Sequence, residues 1–207
     1  MIKQYENGAF SQNTWVYFNT DTEEAIIVDP GDDLDGLYNI IGTYNITHIF
    51  ITHGHIDHIQ GLTEIKNIYP SAIIVAHELA HETLPNPHKN LSHKWGLDVI
   101  APKPDWTYNT ESATITAAGQ EWTLIYTPGH AVDHTVFFGQ DMTMFGGDII
   151  FEQGSVGRVD LDGCDPIAMR VSIAKTLSAP LEATVYPGHG SPFTIKEARP
   201  FFQELNF

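Results

Sequence analysis

Thr52-His53-Gly54-His55-Ile56-Asp57-His58 places three imidazoles and a carboxylate between positions 53 and 58. His53 and His55 are two apart, so an extended backbone points both the same way. A helix beginning near Asp57 would send Asp57 and His58 off in another direction, enough to serve a second ion. Neutral imidazole and carboxylate suit zinc, iron or manganese, and carboxylate without thiolate argues against a closed structural zinc. Histidines can also gather on a solvated loop with no metal. Here the apolar run Ile49-Phe50-Ile51 leads straight into the motif, and a buried strand ending in a polar turn is the usual setting of an active site.

Around this centre the chain reads as alternating strands and helices. Thr14–Phe18 and Ala25–Val28 form a hairpin pattern, closed by Asp29-Pro30-Gly31. Asp29 could orient a metal-bound histidine, or simply form the turn. Leu34, Leu37, Tyr38 and Ile41 have helical spacing and stop at Gly42. After the strand Ile46–Ile51, one helix is expected from Asp57 to Ile68, then a strand at Ala72–Val75 and a short helix over His77–Leu84. The stretch from Pro85 to Tyr108 is Pro-rich and aperiodic, the signature of a lid or binding loop. Its His88 and His93 read as loop-surface histidines, since no buried strand leads to either.

Glu111–Ala117 and Glu121–Tyr126 flank Ala118-Gly119-Gln120 as a hairpin, and His134–Phe138 and Met142–Phe145 make another. Asp165-Pro166 is a natural helix start for Ile167–Leu177. A strand at Ala183–Tyr186 and a helix from Thr194 to Glu204 complete the pattern. Strand, helix, strand, helix is an α/β rhythm.

Lys+Arg 10 against Asp+Glu 26 gives a formal charge of -16, which repels phosphate backbones and argues against a nucleic-acid partner. The 207 residues, with 42% hydrophobic content, suit one domain with a substantial core. Cys164 is the single cysteine, so no intrachain disulfide can form. The N-terminal residues lack the apolar core of a signal peptide, and no apolar run approaches the roughly 18 residues that span a bilayer. A soluble, cytoplasmic protein with no membrane partner is expected; the oligomeric state is not readable.

His130, Asp148 and His189 each follow an apolar strand and sit beside glycines that permit close approach. With His53, His55, Asp57 and His58 they make seven ligand groups, enough for two metals with open positions, and Asp148 has the two oxygens a bridge needs.

This set, a THxHxDH stretch followed by His, Asp and His on later loops, resembles the metallo-β-lactamase superfamily over essentially the whole chain. The resemblance implies a four-layer αββα sandwich, a single domain over residues 1–207, with His53, His55 and His130 on one metal. Asp57, His58 and His189 would hold the second, and Asp148 would bridge. Two divalent ions per chain are implied, zinc first, with iron or manganese as alternatives.

Thr127–His130, Gly147–Phe151, Gly157-Arg158-Val159-Asp160 and Tyr186–Gly190 are similar to the glyoxalase II (hydroxyacylglutathione hydrolase) branch, in its short bacterial form. The C-terminal helical glutathione-binding domain of longer members is not expected here. The branch implies attack of a metal-generated hydroxide on S-lactoylglutathione, a small-molecule thioester, with Asp57 and Asp148 catalytic. Arg158, Phe151 and His134 are substrate-contact candidates, and Arg158 could equally pair with Asp160. The segment Ala131-Val132-Asp133-His134 departs from the family's more usual small residues. Two other readings remain: a mononuclear-iron persulfide dioxygenase, kept open by Cys164, and a non-catalytic metal or redox protein on the same fold.

Overall fold

Side chains alternate across a strand, and here both faces are apolar, so each sheet needs a cover on both sides. The computed structural model describes residues 1–202. The first sheet comprises β1 (Ile2–Asn7), β2 (Gln12–Asn19), β3 (Glu24–Val28), β4 (Asn45–Phe50), β5 (Ile73–His77) and β6 (Trp106–Tyr108), side by side in chain order. β1 to β3 pair antiparallel and β3 to β6 parallel. The second sheet holds β7 (Ser112–Ala117), β8 (Gln120–Tyr126), β9 (Thr135–Gly139), β10 (Thr143–Gly147), β11 (Thr184–Pro187) and β12 (Phe193–Thr194). Only β10 and β11 pair parallel there; the other pairs are antiparallel.

Trp15 of β2, Phe50 of β4, Trp122 of β8, Phe137 of β9 and Phe145 of β10 meet in the layer between the sheets. Phe50 and Phe137 stack with ring centroids 4.3 Å apart, one from each sheet. The neighbouring residues Val16, Phe18, Ile49 and Ile51 point the opposite way. There they meet Leu37 and Ile41 of α1 (Asp35–Ile41), Ile59 of α2 (Ile56–Ile59), Leu62 and Ile65 of α3 (Leu62–Ile68) and Ala80 of α4 (Ala80–Thr83). On the far side, Val136, Met144 and Val185 pack on Met169 and Ile173 of α5 (Pro166–Leu177) and Ile195 of α6 (Ile195–Ala198). Helix, sheet, sheet, helix is the expected αββα order.

Local departures have local causes. The single helix expected over Asp57–Ile68 is two, α2 and α3. The Gly61 amide donates to the Pro30 carbonyl at 3.0 Å, outside the helix, and a Cβ at Gly61 would press on the Gly31 carbonyl and Leu34. His77 ends β5 instead of starting a helix, and α4 covers only Ala80–Thr83. The last helix is α6 followed by a 3-10 turn over Arg199–Phe202; Pro200 lacks the amide to continue an α-helix. The expected remainder, 203–204, lies outside the described residues. β1 and β6 were not expected from the sequence. The Ala118-Gly119 turn has φ 42° and 75°, both positive, as a two-residue hairpin of this hand requires. Asp165 caps α5 as expected, accepting the Ile167 and Ala168 amides at 2.8 and 3.1 Å. No helix among the described residues is long and apolar enough to cross a membrane.

Candidate metal centre

Loops leaving the strand ends of both sheets meet along one edge. β4 delivers His53 and His55, the α2 turn carries Asp57 and His58, and the loops after β8, β10 and β11 carry His130, Asp148 and His189. All seven come together. His53, His55 and His130 form a triangle with ring centroids 4.6, 4.6 and 4.8 Å apart. Asp57, His58 and His189 form a neighbouring group, with His189 Nε2 3.3 Å from Asp57 Oδ2. Asp148 lies between the groups, Oδ1 3.5 Å from His58 Nε2 and Oδ2 3.5 Å from His130 Nε2. Gly188 lets this happen: a Cβ there would overlap Asp148 Oδ1 and lie 2.6 Å from His58 Cε1.

The outward-facing ring nitrogens are fixed by partners. His58 Nδ1 meets Asp29 Oδ2 at 2.9 Å. His53 Nδ1 lies 3.0 Å from Thr52 Oγ1, which in turn donates to Asp29 Oδ2 at 2.6 Å. Asp29 also accepts the Thr52 amide at 2.7 Å, from a left-handed backbone with φ 50°. One buried carboxylate thus sets the rings of both groups, so that each Nε2 faces inward. His130 Nδ1 meets the Arg158 carbonyl at 2.9 Å, and His189 Nδ1 meets the Ser11 carbonyl at 3.3 Å.

Three of those inward nitrogens, and one oxygen of Asp148, have nothing to bond. Among the described residues, six buried side-chain atoms lack a hydrogen-bond partner: His53, His58 and His130 Nε2, Asp148 Oδ1, Asn7 Oδ1 and Gln120 Nε2. Four of the six converge here. An unpaired buried polar atom costs about 1–3 kcal/mol, so four at one point fit a site whose partner is a cation. Electrostatics agrees. Burial, reinforced by neighbouring imidazoles, holds His53 well below its ordinary pKa and so keeps it neutral. Burial and the His130 imidazole do the same to His55. Burial pushes His58 down too, but Asp57, Asp148 and Asp29 overcome it and lift the imidazole to about 10. Burial pushes Asp57 up, and His58 and His189 reverse that to hold it well below the usual carboxylate range. These carboxylates draw a proton onto His58, the same demand that a divalent cation meets. The donor set of imidazoles and carboxylates fits divalent metal ions.

The remaining candidates fall in different places. Phe151 and Arg158 line a cleft of about 270 Å³ over the centre. Arg158 is engaged by Asp160 through two hydrogen bonds of 2.8 Å each. His134 does not face the cleft. It is fully buried, its Nδ1 2.9 Å from Thr127 Oγ1, while its Nε2 accepts the Asp148 amide at 3.1 Å. Its two nitrogens are occupied, so it supports Asp148 and offers a substrate nothing. Cys164 is half-buried, its Sγ 3.0 Å from the His130 carbonyl. Phe10, Leu91, Trp95 and Leu161 also line the cleft and carried no motif or periodicity in the sequence. Phe10 and Trp95, from segments far apart in the chain, meet edge to face at 4.8 Å.

The family model of the metallo-beta-lactamase superfamily matches residues 7–189. Hydroxyacylglutathione hydrolase GloC of Haemophilus influenzae is 30% identical over 205 residues, covering 93% of this chain and 93% of that protein. Among solved structures, BLEG-1 B3 metallo-beta-lactamase superposes with a TM-score of 0.91 at 30% identity, over 100% of both chains. TTHA1623 in a di-iron-bound form gives 0.79 at 26% identity, over 95% of this chain and 96% of that one.

Proposed function

The chain belongs to the metallo-beta-lactamase superfamily, and from that premise we propose that it is a metal-dependent hydrolase of thioesters of the S-lactoylglutathione type. His53, His55 and His130 would hold one divalent ion, Asp57, His58 and His189 a second, and Asp148 would serve both. Zinc is the first choice, with iron or manganese as alternatives. Bound there, such ions supply Lewis acidity toward a carbonyl oxygen and a water acidified to near neutrality.

The chain's own groups do the rest. Asp57, which lines the cleft, would accept a hydrogen bond from the attacking water and hold it against the carbonyl carbon. Phe151, Trp95, Phe10 and Leu161 wall the cleft with apolar surface and keep bulk water from the acyl group. The observation that carries the thioester reading is the composition of that wall. Beyond the candidate ligands, its described side chains are apolar except for Arg158, which Asp160 already engages. No spare acid stands ready to protonate a leaving group. A thiolate, whose conjugate thiol has a pKa near 8.5, leaves without one, whereas an amine does not. GloC, the relative at 30% identity, is named for action on a glutathione thioester, in keeping with this reading.

The test is metal content of the purified protein alongside turnover of S-lactoylglutathione, a β-lactam and glutathione persulfide. Two metals per chain with thioester turnover are expected. Asp148→Ala should reduce turnover by more than the ~10–100-fold typical of an outer partner. One iron per chain with oxygen uptake on the persulfide would instead identify a dioxygenase. Lactam turnover exceeding thioester turnover would identify a lactamase. A metal-loaded protein inert to all three would leave a binding or redox role.

A further inference from the structure

A second cavity, of about 390 Å³, opens on the other side of His55 from the metal cleft, and His55 is the one residue that lines both. Its walls come from five separate stretches: Gly54, Leu79 and Thr83, the turn at 88–93, Ala131 and Val132, and Gly163. The turn is firmly held. Asn90 is fully buried; its Nδ2 donates to the Leu84 and Val99 carbonyls at 3.1 and 2.8 Å, and its carbonyl accepts the Ile56 amide at 3.0 Å. The same residue that shapes the cavity therefore ties it to the start of the Asp57–His58 helix.

The lysines around this space are paired. Lys89 pairs with Glu82, and Lys94 pairs with Asp162 at 2.9 Å. Asp133 is buried and accepts hydrogen bonds from Thr83 Oγ1 and, at 3.3 Å, the Gly54 amide. His88 and His93 pack ring against ring at 4.2 Å. An anionic guest would meet only paired lysines here, and the Asp133 carboxylate is sealed off by burial. What is left for a guest is apolar: Leu79, Ala131, Val132 and the bare backbone of Gly163. Leu79 and Val132 are 37% and 40% exposed, large apolar surfaces at the cavity mouth.

A thioester has two arms, one on each side of its carbonyl, and the metal cleft and the second cavity share His55 as a wall. We propose that the second cavity receives an uncharged apolar chain of several carbons on one arm of a thioester, so that the preferred substrate differs from S-lactoylglutathione in that arm; this rests on the hydrolase reading above. The reaction class that supplies such a substrate is the condensation of an apolar acid, or an apolar thiol, into a thioester.

Two series of thioesters, given to the metal-loaded full-length protein, test this. One lengthens the acyl arm from acetyl to octanoyl on N-acetylcysteamine; the other lengthens the thiol from ethanethiol to hexanethiol on acetyl. Along the arm that enters the cavity, kcat/KM should rise about fourfold per methylene, the equivalent of ~0.8 kcal/mol for each CH₂ buried, and then level off. Val132→Trp, which fills the cavity, should bring the long-to-short ratio close to one, and Leu79→Trp serves if that variant does not fold. Flat profiles in both series overturn the proposal, as does a chain-length gain that both variants retain. If no thioester is turned over, calorimetric binding of butanoate, hexanoate and octanoate takes their place. Chain-length-dependent affinity lost in Val132→Trp would keep the cavity and sink only the thioesterase reading; affinity independent of length would overturn the cavity.

Discussion

Asp29 touches both groups of candidate ligands, because it bonds His58 directly and His53 through Thr52. Its φ of 50° is a left-handed conformation that Asn also tolerates, so Asp29→Asn keeps the backbone while removing the charge and one acceptor. The expected outcome is a ~10–100-fold loss of metal affinity by chelator competition, with an unchanged far-UV spectrum. An unaltered affinity would mean that the rings are fixed some other way. His134→Ala should act through Asp148, by leaving its buried amide unpaired at a cost of about 1–3 kcal/mol in chemical denaturation. At this scale the seven candidate ligands were legible because ligand types recurred at strand ends. Thr52 and the Arg158 carbonyl were not, since a hydroxyl or backbone oxygen has no signature until the fold brings it to an imidazole. His134 looked like a cleft residue for the same reason: its partners, Thr127 and the Asp148 amide, are set by packing.

The break between α2 and α3 is the element-scale feature that aims Asp57 and His58. Gly61→Ala would drive a methyl into the Gly31 carbonyl and to within about 2.8 Å of Leu34 Cδ1. It should destabilise the protein by about 1–3 kcal/mol in urea, as overpacking does. Periodicity alone could not show the break, because Ile59, Leu62 and Ile65 keep their apolar spacing through it. A second element-scale prediction concerns the junction of α3, β5 and β6. Asp105 accepts the Ile74 amide at 2.9 Å and Lys66 Nζ at 2.8 Å. Burial raises its pKa, and those two partners more than reverse this, leaving it below its ordinary 3.8. A carboxylate depressed on folding stabilises above its unfolded pKa, and that contribution fades as pH falls through the folded one. Asp105→Asn should therefore lower the thermal midpoint at pH 7, and the gap to the unsubstituted protein should shrink below about pH 3.8. A gap that is constant with pH would place the effect in packing. β1 and β6 escaped the sequence reading because edge strands need little hydrophobic content. Lys3, Gln4 and Glu6 on β1 are exposed, and β6 is three residues inside a Pro-rich stretch.

Over the whole molecule, the four-layer order came from the family resemblance, while the residues alone gave an α/β rhythm; the alternation of Trp15 and Val16, Phe50 and Ile49, or Phe137 and Val136 toward opposite layers agrees with it. The second cavity was not legible, since Gly54, Leu79, Val132 and Gly163 share no local pattern and meet only in three dimensions. Charge acts at this scale too. The formal charge of -16 includes carboxylates that would be metal ligands, and Asp57 and Asp148 face each other across His58 and His189. Divalent ions bound there would stabilise the fold by mass action, since the unfolded chain does not assemble candidate ligands drawn from four separate segments. At 100-fold excess over Kd, one site contributes ~2.7 kcal/mol, which for a chain of this size is a Tm shift of about 5–10 °C. Chelation should therefore lower Tm by at least that amount, and added zinc should restore it. Asp148→Ala, which removes the carboxylate between the two groups, should show a much smaller response to both chelator and zinc. A full response in that variant would mean that the two groups hold their ions independently, with Asp148 serving neither.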